Sequence, residues 1–240
     1  MTDDIELRLD GDALAAAINE LGADPEVAIR IAALDQHIAD RLADHPDRDT
    51  HEARLESTRG RARLHQGRAA EAIPFFERAR AAYRREGEGV ELARTGVSLA
   101  MALRAAGELD RAGEALDQIA ADLEAHHGPT ASAADQAYGE STQAFWLYER
   151  ARLDLARGSP AGARTWARLG LQLAERPWPR LGLLRVLAWA ERGLGKPNLA
   201  RDAAAEAALL AEKSQGDFRA IFDRIAEEAK GPYRADGEVY

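Results

Sequence analysis

A chain of 240 residues with 32 basic and 41 acidic side chains carries a formal net charge of −9, which weighs against indiscriminate binding to polyanions. It has no cysteine, so disulfides, thiolate metal ligands and a cysteine nucleophile are excluded. Alanine, leucine, glutamate and arginine dominate, and no alternating run is long enough for a strand, so the expected fold is all-α.

In chain order, a first helix is expected over Leu9–Leu21, with Leu14, Ala17, Ile18 and Leu21 on one side and Gly22 as its stop. Asp24 and Pro25 open a second, along which Val27, Ile31, Leu34, Ile38 and Leu42 share a face as far as Ala43. His45-Pro46-Asp47 breaks it, because the residue before a proline is pushed out of the α region. A third, arginine-rich helix runs from Asp49 or Thr50 to Gln66. A fourth spans Ala69–Arg85, where Ala72, Phe75, Phe76 and Ala79 make one stripe. Pro74 is expected to kink this helix or move its start. Gly87 and Gly89 separate it from Val90–Ala106, and Leu109–Ala125 follows.

Beyond His126-His127-Gly128-Pro129, a longer helix over Ser132–Arg157 carries Phe145, Trp146 and Tyr148. Then come Pro160–Ala174, an extended connector at Arg176-Pro177-Trp178-Pro179, and a last pair, Leu181–Leu194 and Asn198–Lys213. Phe218–Lys230, striped by Phe218, Ile221, Phe222 and Ile225, reads as a capping helix. The domain reading is a single helical repeat domain over residues 1–230 and a loose polar tail over 231–240. The acidic start Met1–Asp12 lacks a signal peptide's pattern, and no apolar run approaches the roughly 20 residues of a membrane span. A cytoplasmic protein that binds no membrane is therefore expected.

A unit recurs. Gly67, Gly107, Gly158 and Gly195 each stand five residues before a small residue, Ala72, Ala112, Ala163 and Ala200, where two antiparallel helices approach most closely. Ala28 marks a weaker first copy. The steps between the small residues are 44, 40, 51 and 37, the mark of an α-solenoid of antiparallel helix pairs.

The pattern resembles the tetratricopeptide repeat (TPR) family over roughly Arg8 to Lys213. The family places a small residue, Gly, Ala, a large apolar residue and Ala at fixed offsets, and Gly60, Gly67, Ala72, Phe76 and Ala79 fill them in order. Ala100, Gly107, Ala112, Leu116 and Ile119 come next, the last departing from the pattern, then Ala151, Gly158, Ala163, Ala167 and Gly170, then Ala188, Gly195, Ala200, Ala204 and Ala207. The steps are longer than the family's period, and Glu56, Gly96, Leu147 and Leu184 stand where it has Trp. The resemblance implies a right-handed superhelix of about five repeats plus a C-terminal cap.

It also implies that each unit's first helix lines a concave face. The positions concerned include Arg54, Arg61, Arg94, Arg104, Tyr148, Arg152, Arg185, Trp189 and Arg192, an arginine-rich groove with aromatics interleaved. Guanidinium forks suit an acidic or C-terminal peptide segment. The competing reading is that these arginines pair with Glu and Asp of neighbouring helices. The Lys and Asn set of the family's two-carboxylate clamp is missing, so recognition of chaperone tails does not carry over.

Chemistry is sparse. Gly193-Leu194-Gly195-Lys196 resembles the end of a phosphate loop, but Ala190 and Pro197 replace its first glycine and its hydroxyl. His126 and His127 are adjacent and point apart on a helix. No catalytic residue, metal or cofactor is expected. The expectation is a non-catalytic protein–protein interaction module for a protein or peptide, with an acidic segment favoured, nucleic acid disfavoured and a homo-oligomer left open. The alternative is a regulator responding to a peptide or small ligand. Arg185→Ala is expected to leave stability nearly unchanged.

Overall fold

The computed structural model describes residues 36–41, 48–126, 133–213 and 219–233. The expected helix Leu9–Leu21, the weak first repeat at Ala28 and the break at His45–Asp47 lie outside them. Residues 36–41 are helical, inside the expected second helix. The remaining described elements are α1 (Arg48–His65), α2 (Ala69–Glu86), α3 (Gly89–Ala105), α4 (Leu109–His126), α5 (Ala133–Ala156), α6 (Pro160–Leu173), α7 (Pro177–Gly193), α8 (Pro197–Lys213) and α9 (Arg219–Lys230). Among the described residues there is no strand. The fold is all-α, a helical repeat of consecutively packed antiparallel pairs.

One turn is used five times. Gly67, Gly87, Gly107, Gly158 and Gly195 all take φ between 70° and 82°, where an L side chain would be strained. In each turn the residue after the glycine donates its N–H to the carbonyl five residues back, as in Arg68 to Arg63 at 2.9 Å and Lys196 to Glu191 at 2.9 Å. These bonds satisfy carbonyls that the helix end would otherwise orphan.

Two prolines behave differently from the sequence expectation. Pro177 and Pro179 do not form an extended connector; they sit in the first turn of α7, behind the extended Arg176. Proline's fixed φ suits that turn, and its missing N–H has no partner there to lose. Pro74 does not move the start of α2, which begins five residues earlier at Ala69. So near the N-terminus, it deletes a single ladder bond and lies exposed.

The chain groups into two compact units, one ending at Glu108 and one beginning at Leu109. In the N-terminal unit α2 packs on both α1 and α3. Gly60 on α1 is the seat of Phe76: a Cβ there would stand 2.7 Å from the ring. Ala72, Phe76 and Ala79 are completely buried.

In the C-terminal unit each helix from α4 to α9 packs on the next, and α7 also touches α5 and α9. Ala163, Ala167, Ala200 and Ala207 are fully buried. Gly170 admits Leu183 and Gly182 admits the ring of Tyr148, each within 3 Å of where a Cβ would stand. Phe222, Ile225, Ala226 and Ala229 of α9 close the core against Leu181, Leu184, Ala204 and Ala207. Trp146 belongs to a joint inside this unit: its Nε1 donates to the Leu116 carbonyl at 2.8 Å, and its ring meets Trp166 edge-on at 5.9 Å.

Candidate functional site

In the C-terminal unit the expected face is built on α5 and α7, and its side chains have partners within the unit. Arg152 is 1% exposed and its Nη1 donates to Glu149 Oε1 at 2.9 Å, a pair buried on both sides. Its guanidinium lies 5.2 Å from the Tyr148 ring centroid. Arg185 donates to the Tyr148 hydroxyl at 2.5 Å and to the Glu228 carboxylate, and stacks on Trp189 at 4.8 Å. Tyr148, Arg185 and Glu228 therefore form a lateral tie across α5, α7 and α9.

Two further side chains of the expected face hold the end of α9. Trp189 Nε1 donates to the Glu228 carbonyl at 3.0 Å, and Arg192 donates to the carbonyls of Lys230 (2.9 Å) and Gly231. The last carbonyls of a helix have no partner within it and carry the negative end of its dipole, so a guanidinium suits them doubly. Tyr233 stacks on Trp189 at 5.3 Å. The tail expected from residue 231 thus stays packed as far as Tyr233, because Trp189 offers its ring an apolar surface.

In the N-terminal unit, α1 carries Arg54 and Arg61, and α3 carries Arg94 and Arg104. Arg61 donates to Thr58 Oγ1 at 3.3 Å, Arg94 pairs with Glu91 one turn back, and Arg104 is buried in the last turn of α3. Between these helices lies a residue that the sequence reading passed over. The Tyr83 ring packs with Ala53, Ala79, Ala82 and Leu92, where the start of α1, the end of α2 and the start of α3 converge. Tyr83 is 2% exposed, and its hydroxyl has no hydrogen-bond partner.

Burial, followed by the Glu91 carboxylate, pushes the Tyr83 hydroxyl up to about 12, with Arg94, Arg54 and Arg61 acting the other way. Three of the expected face arginines are therefore within electrostatic reach of that one oxygen. Thr95 Oγ1, on the turn after Glu91, is also buried without a partner. Burial holds His65 below its usual range, and the positive charge of Arg61 lowers it further.

Sequence reasoning missed Tyr83 and Glu228 for different reasons. Tyr83 lies near the end of α2, a second helix of its pair, whereas the repeat pattern assigns the face to first helices. Glu228 sits on the cap, which the repeat offsets do not reach. A usable signal existed for Tyr83: a tyrosine on a stripe otherwise made of Ala72, Phe76 and Ala79.

Among the described residues, no group of three or more His, Asp or Glu is placed to hold a metal ion. No described helix is long and apolar enough to cross a membrane. Comparisons with protein-family models, with curated proteins and with solved structures find no match.

Proposed function

We propose that the protein is a non-catalytic protein-interaction module, a TPR-like array that holds an acidic segment of a partner protein on the α1/α3 face of its N-terminal unit. The observation that carries this reading is an asymmetry of charge. α1 and α3 together carry seven arginines against four Asp and Glu, within a chain whose net charge is −9. A cationic face attracts acidic partners. Guanidinium forks take carboxylates bidentately, which adds geometry to attraction.

The test is affinity capture from native extract, comparing wild type with an Arg54→Glu, Arg94→Glu variant whose helicity is checked by circular dichroism. The expected outcome is a partner held by wild type, released as salt rises, and absent from the variant. Equal recovery of the same partners by the folded variant would overturn the reading.

A further inference from the structure

Among the described residues, the large apolar side chains that stay exposed are Leu169, Leu173, Trp178, Leu199 and Leu209, and all belong to the C-terminal unit. Trp178 leans on Phe222 of α9, with ring centroids 5.5 Å apart. The other four stand on α6 and α8 and are between 39% and 56% exposed. Scattered leucines on a surface need no explanation, but these helices are neighbours. Arg180 of α7 donates to the Leu171 carbonyl of α6 at 3.3 Å and to Glu206 of α8 at 2.6 Å, so α6 and α8 flank it side by side. Each is joined to α7 by a short turn and runs antiparallel to it, so the two are parallel to each other.

Charge divides this face. α6 carries Arg164 and Arg168 and no carboxylate, whereas α8 carries Asp202, Glu206 and Glu212 against Arg201 and Lys213. Leu171 and Glu206 stand level at the Arg180 guanidinium. Counted from them toward the C-terminal ends, Leu173 is level with Leu209 to within one residue. Toward the N-terminal ends, Arg168 is level with Asp202 just as closely.

We propose that this face pairs with the same face of a second copy of the chain, about a two-fold axis that runs along the helices midway between α6 and α8. Such an axis lays α6 of each copy on α8 of the other and preserves the levels. Leu173 then meets the second copy's Leu209, and Arg168 meets its Asp202, each contact occurring twice. Arg168 is 56% exposed and uses Nη2 on the buried Glu191, which leaves its other N–H groups for a second carboxylate. A cationic apolar strip beside an anionic apolar strip is self-complementary, which is what an isologous interface requires. The pairing does not depend on the acidic-segment reading, which concerns the N-terminal unit.

The experiment is sedimentation velocity of the full chain from about 1 μM to about 200 μM, with wild type, Leu173→Glu, Leu209→Lys and the two combined. Circular dichroism checks that helicity is unchanged, as expected at exposed positions. Wild type should sediment as a dimer that dissociates on dilution. Each single substitution should weaken dimerisation at least about a hundredfold, because it presses an unpaired charge against leucine. Combining them should restore the dimer, since each new carboxylate then faces a new ammonium across the interface. A wild type that stays monomeric throughout, single variants that dimerise as wild type does, or a double variant as monomeric as the singles would each overturn the proposal.

Discussion

The two units carry similar residues at similar repeat positions and use them differently. In the C-terminal unit, Arg152, Arg185 and Arg192 have partners inside the unit: a buried glutamate, a carboxylate of the cap and the last carbonyls of α9. In the N-terminal unit, Arg61 and Arg94 bond Thr58 and Glu91, each one turn back on its own helix. Identical side-chain types at matching offsets thus do not define a binding face. What separates the two sets is burial and reach: Arg152 is buried together with Glu149, and Arg185 and Arg192 are tied to α9.

Substitutions can break that comparison. The largest effect is expected at the buried pair: Arg152→Ala removes the guanidinium paired with the Glu149 carboxylate, which is 1% exposed, and should cost about 3–5 kcal/mol in urea unfolding. A loss under about 1 kcal/mol would mean that the pair opens to water. Arg185→Ala comes next, at about 2 kcal/mol, since it removes charge-assisted bonds to Tyr148 and Glu228. Its counterpart Arg94→Ala should cost no more than about 0.5 kcal/mol, because Arg94 and Glu91 are one turn apart and partly exposed. Equal losses in the last two variants would erase the distinction between the units.

The smallest effect expected is one of pH. His65 has a folded-state pKa below its ordinary value, so its contribution is complete above about pH 6.5 and is lost as pH falls through the folded value, where the unfolded chain takes up the proton first. Thermal melts at pH 7 and pH 5 should therefore converge in His65→Gln relative to wild type. An unchanged difference would place that sensitivity elsewhere.

The expectation for Arg185→Ala changes between sequence and structure. From the chain alone, an arginine at a groove position on an amphipathic helix reads as solvated, and its removal as harmless. Folded, it is 8% exposed and tied on two sides. The repeat itself was legible because it depends on local requirements: a residue without Cβ at each αL turn, alanine where helices cross, and glycine at Gly60 under the Phe76 ring. Those needs are visible in single residues. The start of α7 was misread because proline signals both a helix breaker and a first-turn residue, and only the surrounding structure separates the two. The lateral tie was hidden because Glu228 is 43 positions from Arg185, and no periodicity links them.

The grip of Trp189 and Arg192 on the end of α9 also bears on how the chain can be cut. A protein shortened to Ala226 would lose the Glu228 carboxylate and the Lys230 and Gly231 carbonyls together, leaving Arg185 without its carboxylate and Arg192 without those two acceptors. Such a fragment would seek anions it never meets when intact, and a binding assay run on it would report a surface made by truncation. The last turn of α9 is, in effect, the C-terminal unit's own built-in counter-ion.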